Sequence, residues 1–138
     1  MPTTTQSNIA SARALPICET GELAAECDAP GEARRTIVRA LRRQGCGEVL
    51  VQDAALVVTE LAANAVVHAG SPFSVSVSLR EATLRIVVAD NGPVATAATS
   101  RHLAPRKGRG LGLIDALCTC WGADLTARGK VVWGELQL

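Results

Sequence analysis

The sequence predicts an α+β fold, a two-layer α/β sandwich in which helices cover one mixed, mostly antiparallel sheet. Two segments, at about 30–45 and 51–68, have the helical spacing of apolar residues. A strictly alternating run, 73–79, is followed closely by the apolar run 84–89, and this arrangement predicts an antiparallel hairpin. A third helical segment, 110–121, precedes two more strand-like runs. The predicted order is therefore β-α-α-β-β-loop-α-β-β.

The N-terminal part of the chain carries the weakest pattern. Residues 1–20 are rich in Thr, Ser and Ala, so we expect a flexible leader there and a single domain over 21–138. A short first strand is expected within 21–29. The first helix should begin at Pro30, because proline suits the first turn of a helix, and it should end at Gly45.

The first helix is predicted to be amphipathic. Its buried face consists of small and aliphatic residues: Ala33, Ile37, Ala40 and Leu41. Four arginines project from the opposite side: Arg35, Arg39, Arg42 and Arg43. Two interpretations of this arginine face remain open, a docking surface for an acidic partner and ordinary solvation.

The later strands follow from the same patterns. The turn of the hairpin falls at 81–82, and the apolar run 84–89 suits a central strand. Residues 91–109 lack any periodicity and form a long loop, which in a small domain is usually functional. The last two strands are expected at 123–127 and 131–138.

Composition limits the functions that are open to the chain. A net charge of +1 over 138 residues gives no general attraction to nucleic acid, and one Phe with two Trp offers few stacking surfaces for bases. No apolar run is judged long enough to span a membrane, and no signal peptide is visible, so cytoplasmic residence is expected. The five cysteines, an odd number, are expected to be buried thiols rather than disulfides.

The second helix carries the most informative pattern. It is apolar on most of its surface, yet Glu60, Asn64 and His68 follow one another at i, i+4 and i+8. An asparagine oxygen is a suitable ligand for Mg²⁺, and a carboxylate one turn earlier can orient water or accept a proton from a hydroxyl. A solvent-facing stripe is the alternative for Glu60 and Asn64. For His68, a structural role at the helix end is as good an interpretation as a functional one.

Two further motifs favour a nucleotide site. Asp90 and Gly92 follow a strand, where a carboxylate can accept a hydrogen bond from an exocyclic amine and glycine lets a base approach the backbone. An ordinary turn is the competing interpretation of this motif. Before the third helix, Gly108, Gly110 and Gly112 alternate with Arg109 and Leu111, and backbone N–H groups at such a helix start can receive phosphate oxygens.

These motifs, in this order, resemble those of the GHKL (histidine-kinase-like) ATPase superfamily, and within it the bacterial anti-sigma regulatory serine kinases. Residues 59–69 resemble the family's N box, 88–92 the first half of its Asp-x-Gly-x-Gly box, and 108–113 its second glycine box. The closing strand 131–136 is similar to the family's last strand. The resemblance covers about 30–138 and implies the Bergerat-type sandwich of that superfamily.

The resemblance also implies a function. The protein would be an ATP- and Mg²⁺-dependent protein serine kinase that phosphorylates a STAS-type anti-sigma antagonist and holds a sigma factor inactive, commonly as a homodimer. Asn64 would hold Mg²⁺, Glu60 would be the catalytic base or activator, and Asp90 with Gly92 would bind adenine. The second glycine box, from Gly108 to Gly112 with Arg109 and Leu111, would face the phosphates next to a lid at about 94–107.

Two departures from the family pattern support a second hypothesis. Pro93 and Val94 stand where the first glycine box expects its second glycine, and Val131 and Val132 offer no hydroxyl near adenine. A nucleotide-binding interaction module without kinase activity is therefore the alternative function. A structural domain that binds no nucleotide would need three boxes in the correct order by accident.

Overall fold

The computed structural model describes residues 15–91, 110–127 and 129–138 of the chain. Within these ranges the elements are, in chain order, β1 (Leu15–Glu19), α1 (Ala29–Arg43), α2 (Glu48–Asn64), a π-helical segment (Ala65–Ala69), β2 (Phe73–Arg80), β3 (Thr83–Asp90), α3 (Gly110–Leu117), β4 (Cys120–Leu125) and β5 (Lys130–Gln137). The predicted order of helices and strands is confirmed within these ranges, and the predicted loop 91–109 lies outside them except for Asn91. The third helix was predicted too long: it ends at Leu117 rather than at 121, and β4 already begins at Cys120.

The strands form one sheet in the order β1-β2-β3-β5-β4, which confirms the central position of β3. All four strand pairings in the described ranges are antiparallel, so the mixed sheet that was expected is not found there. The β2–β3 hairpin turns at Glu81, whose φ is 55°. The register runs from the Arg80–Thr83 pair at the turn to the Phe73–Asp90 pair at the open end.

The helices pack on one face of this sheet and so form the second layer of the sandwich. Alternate residues of β2 and β3 are buried on the face toward the helices, among them Val75, Val77, Ile86 and Val88. Because side chains alternate across a strand, a shift of one residue would expose this whole set, so the register is strongly specified. The aromatic-poor composition is compatible with this core because aliphatic side chains and Phe73 fill it.

The first helix confirms its predicted bounds and its two faces. The predicted inward residues are all buried, and the four predicted arginines are exposed. A Schellman motif ends the helix: the Gly45 N–H donates to the Arg42 carbonyl at 3.0 Å and the Cys46 N–H to the Leu41 carbonyl at 3.1 Å. Gly45 has a φ of 83°, which a residue with a side chain rarely adopts.

The prediction of the first strand was wrong. The strand lies at Leu15–Glu19, inside the stretch expected to be a leader, and it pairs with β2. Its register shifts between Pro16 and Cys18. The stretch 21–29 instead contributes a single bridge, in which Leu23 and Phe73 exchange backbone hydrogen bonds of 2.7 and 3.0 Å. The division into a leader and one domain otherwise stays a prediction.

The second helix contradicts the expectation that no apolar run in the chain is long enough to span a membrane. Together with the start of the π-helical segment it forms a 20-residue stretch, Glu48–Val67, of mean hydropathy 1.5, which by length and composition could cross a membrane. In the fold, however, this stretch packs against α1, α3 and the sheet. Its place in the core accounts for the apolar residues of its inward side, where six α2 residues are buried: Val51, Ala54, Val57, Val58, Leu61 and Ala62. Val49, Leu56 and Val67 on the same stretch are exposed.

The cysteines only partly follow the prediction. All five are free thiols, and Cys118 is buried, but Cys27 and Cys120 are exposed. Cys118 lies just after α3 and packs so closely on Gly134 that a Cβ at that glycine would be 2.8 Å from the sulfur. Burial raises the pKa of the Cys118 thiol from 9.0 to about 11.

The raised pKa of Cys118 predicts a pH-dependent stability. Above pH 9 the unfolded chain loses the thiol proton while the folded chain keeps it up to about pH 11, so the free energy of unfolding should fall as pH rises through this window. Urea unfolding of the wild type and of Cys118→Ala, from about pH 8 to about pH 10.5, measures the effect. The stability advantage of the wild type over the variant should shrink with rising pH, and a constant advantage would contradict the prediction.

Candidate functional site

The predicted polar stripe lies on the flank of α2. Glu60 and Asn64 are both half-buried, one turn apart, while the core-facing side of the same helix is buried. Neither side chain is fully exposed, and neither is buried. A carboxylate and a carboxamide stand side by side on an apolar helix, partly withdrawn from water, which strengthens their interactions with a charged ligand.

The helix changes its character directly after Asn64. Over Ala65–Ala69 it becomes π-helical, and the Gly70 N–H donates to the Ala65 carbonyl at 3.2 Å. Gly70 ends the segment with a φ of 62°. The wider turn breaks the 3.6-residue period, so the regular spacing that predicted His68 in the stripe does not continue through this segment. Single π-helical turns occur often at functional sites.

Asp90 lies at the last position of β3 and is the buried charged residue of the described ranges, at 6% exposure. Strand alternation puts it on the same face as Ile86 and Val88, which is the face that carries the helices. The π-helical segment contacts β3, so the end of the α2 helical stretch packs against the strand that ends in Asp90. The fold thus brings together the two elements that carry the predicted site residues.

The turn between β4 and β5 closes against the end of β3. Asp90 is the register partner of Lys130, and a Cβ at Gly129 would overlap the Asp90 carbonyl oxygen and lie 3.0 Å from the Cα of Asn91. The turn is held by Thr126, whose N–H donates to the Gly129 carbonyl at 2.7 Å. Only glycine permits this approach, so Gly129 belongs to the framework of the site.

Asn91 is also held in position. Its Nδ2 donates to Glu22 Oε2 at 2.8 Å, across the end of the sheet. Sequence reasoning missed both Gly129 and this contact. Gly129 was visible only as a turn residue, and nothing in the sequence pairs Glu22 with Asn91, because they are 69 residues apart.

The glycine-rich motif is only partly described. The backbone is helical from Gly110, so Gly110 and Leu111 form the first turn of α3. At Gly112 an added Cβ would meet no described atom within 4 Å, so packing within the described ranges does not require a glycine there. The predicted site residues Gly92, Gly108 and Arg109, and the predicted lid at 94–107, lie outside the described residues.

Two surface depressions accompany these elements. One, of about 710 Å³, opens beside Asp90 on the outer side of the sheet and is lined by Glu22, Ser74 and Ala89 among others. The other, of about 920 Å³, lies between α1 and α2. Neither is lined by Glu60 or Asn64. Glu60 and Asn64 are therefore found on the α2 flank rather than in either depression.

Comparison with known families identifies this arrangement. The sequence profile described as "Histidine kinase-like ATPase domain" matches residues 23–133, which is most of the chain. The chain belongs to the histidine kinase-like ATPase family. This result confirms the predicted resemblance to the GHKL superfamily.

A solved structure of the same fold supports the assignment. This histidine kinase-like domain matches the crystal structure of the RsbU and RsbW domains of Rv1364c from Mycobacterium tuberculosis, with a TM-score of 0.65 and 18% sequence identity. The match covers 88% of this chain but 32% of that one, so this chain spans about a third of the length of the matched chain. At this identity the likeness shows the fold. Among curated proteins, no sequence matches the domain significantly.

Family membership makes the α2 flank and the end of β3 candidates for one nucleotide site. Both elements carry motifs that resemble nucleotide-binding boxes, and the fold packs them together. The family description supports ATP as the ligand. Glu60 and Asn64 on α2 and Asp90 on β3 are the candidate site residues with described side chains.

Proposed function

We propose that this domain is an ATP-binding anti-sigma regulatory protein with serine kinase activity toward a STAS-type antagonist. The observation that carries the proposal is the pair of Glu60 and Asn64 on the half-buried flank of α2, in a chain that belongs to the histidine kinase-like ATPase family. The RsbW-like fold favours the anti-sigma branch of that family. The kinase would act in the cytoplasm, bind a sigma factor as its second partner and work as a homodimer.

The candidate residues fit ATP and Mg²⁺ by their chemistry. The Asn64 carboxamide oxygen is a hard ligand and would hold Mg²⁺, which binds proteins through few groups together with phosphate oxygens. Asp90 would accept a hydrogen bond from the adenine amine, with Gly92 beside the base. No described atom lies within 4 Å of a Cβ added at Gly112, which is compatible with phosphates next to the first turn of α3, where Gly108, Arg109, Gly110 and Leu111 are the further predicted contacts.

Bound ATP would supply the phosphoryl group, and the protein would position and activate the acceptor. The Glu60 carboxylate would accept the proton from the attacking serine hydroxyl at one of its Oε atoms. Phosphoryl transfer depends mainly on positioning and on stabilising charge, and the rigid α2 helix suits that task. The alternative, a nucleotide-binding interaction module without transfer, is favoured by Pro93 and Val94 in the first glycine box.

A calorimetric titration tests the nucleotide site. We expect ATP to bind the wild type in a Mg²⁺-dependent manner, and Asn64→Ala to weaken binding at least about tenfold because it removes the metal ligand. Gln52→Ala is a matched control, since it removes a carboxamide from the exposed surface of the same helix, and it should leave the affinity unchanged. Absence of binding at millimolar ATP would contradict the kinase and the nucleotide-module hypotheses together.

A further inference from the structure

The depression between α1 and α2 has a distinctive lining. Four arginines of α1 border it: Arg34, Arg35, Arg39 and Arg42. The rest of its lining is mainly apolar, with Val38 from α1 and Ala55 and Leu56 from α2, beside two polar side chains of α2. Leu56 is 45% exposed, so a large apolar side chain of α2 is open to solvent in this depression. We call this surface the arginine groove.

The charge of the arginine groove is not balanced within the chain. All 13 acidic residues of the sequence lie in the described ranges. Of the groove arginines, Arg42 pairs with Glu48 at 2.6 Å, and the other three form no ion pair with these carboxylates. A chain with a net charge of only +1 therefore concentrates unpaired positive charge along one concave surface. Such a field selects and steers a negatively charged partner.

The lining of the arginine groove specifies the chemistry of that partner. The exposed leucine and its apolar neighbours favour contact with apolar side chains, and the arginines favour carboxylates beside them. An amphipathic helix with acidic flanks presents both at helical spacing. We propose that the arginine groove binds an acidic amphipathic helix of a partner protein.

This inference deepens the proposed function and rests on it only for the reaction that follows docking. Leu56 precedes Glu60 by one helical turn, about 6 Å along α2. A helix seated in the groove therefore lies against the same helix that carries the predicted catalytic carboxylate. Docking there would hold the partner beside the site without occupying it. An anionic membrane is the less suitable occupant, because a flat surface does not enter a groove between two helices.

A binding measurement with defined peptides tests the proposal. The probe is a fluorescent, mainly alanine peptide of about 18 residues with leucines at i, i+4 and i+7 and a few glutamates flanking that stripe; the control peptide has the same composition in an order without an apolar stripe. We expect the probe to bind at least about tenfold more tightly than the control, and its affinity to fall with added salt. Equal binding of the two peptides would overturn the proposal.

Protein variants locate the peptide on the groove. The double variant Arg35→Ala with Arg39→Ala should weaken binding at least about tenfold, and Leu56→Ala by about threefold to tenfold. Arg43→Ala is the matched control, because this exposed arginine lies on α1 but does not line the groove, and it should change affinity less than about twofold. An equal loss in Arg43→Ala, or unchanged binding in the double variant, would overturn the assignment.

Two further measurements separate this inference from the alternatives. Phosphatidylserine vesicles that bind with the same dependence on Arg35 and Arg39 would indicate a membrane surface and overturn the proposal. ATP titration of the double variant should match the wild type, because neither arginine belongs to the nucleotide site. Peptide binding by a wild type that fails to bind ATP would support the arginine groove and reject the proposed function. ATP binding by a wild type that fails to bind the peptide would support the nucleotide site and reject the arginine groove as a docking surface.

Discussion

Replacement of Glu60 by glutamine is expected to reduce phosphoryl transfer to a partner serine by at least about 100-fold, with ATP affinity changed by less than about threefold. Glutamine has the size of glutamate and keeps one oxygen acceptor, but it cannot take the proton of the attacking hydroxyl. Asn64 and Asp90 stay in place in this variant. The loss should therefore appear in the transfer step and not in binding.

The measurement combines radiolabelled ATP, candidate STAS-type antagonist proteins and each kinase variant, with calorimetry to follow ATP affinity. Glu48→Gln is the matched control, since Glu48 is an exposed glutamate at the start of the same helix and pairs with Arg42. It should transfer phosphate like the wild type. Equal transfer by Glu60→Gln would reject the catalytic role, and a wild type that binds ATP but transfers nothing would favour the interaction module.

Replacement of Gly129 by alanine is expected to lower the free energy of unfolding by about 2–4 kcal/mol and to weaken ATP binding at least about tenfold. The added Cβ would overlap the Asp90 carbonyl oxygen and approach its carbonyl carbon to 2.9 Å. These are backbone atoms, which cannot rotate away as a side chain does. The end of β3 must therefore shift, and with it the carboxylate predicted to bind adenine.

Gly122→Ala provides the control for this variant. Its Cβ would also meet a neighbour closely, at 2.8 Å, but that neighbour is the ring of Trp133, which stacks under the guanidinium of Arg85 on the outer face of the sheet. A side chain can move aside, so the stability loss should be smaller and ATP binding should stay unchanged. Urea unfolding and calorimetry of both variants give the answer. Unaltered ATP affinity in a folded Gly129→Ala protein would contradict the framework role of Gly129.

The elements with one dominant pattern could be predicted from the sequence. The alternation of 73–79 permits only one buried face, and the hairpin to β3 follows from the short turn after it. The first helix combines a proline start, a glycine end and a continuous apolar face, and its observed bounds agree with these signals. Local chemistry and tertiary packing favour the same conformation in these segments.

The elements set by tertiary contacts could not be predicted. The segment Leu15–Glu19 is short and contains a proline, and it becomes a strand because the edge of β2 is available to it. The π-helical turn after Asn64 has no sequence pattern of its own, since the residues 65–69 continue the apolar composition of α2.

In the candidate site, too, some residues could be predicted from local sequence patterns and others only from tertiary contacts. Glu60, Asn64 and Asp90 could be predicted because a polar group in an apolar segment must be solvated, hydrogen-bonded or bound to a ligand. The fold packs the end of the α2 helical stretch against the strand that carries Asp90. Gly129 did not stand out, because a glycine in a turn is expected in any hairpin. Gly129 is required because the Asp90 backbone lies against it, and the two are close only because β3 pairs with β5.

The irregular first strand has a consequence for assembly. β1 forms one border of the described sheet, and its pairing with β2 is interrupted between Pro16 and Cys18. Proline offers no N–H to a neighbouring strand, and a bulge twists the border away from a flat template. This border is therefore a poor template for strand addition. A homodimer of this domain would for the same reason not form by extending the sheet at β1, which leaves the β4 border and the two faces of the sandwich as contact surfaces.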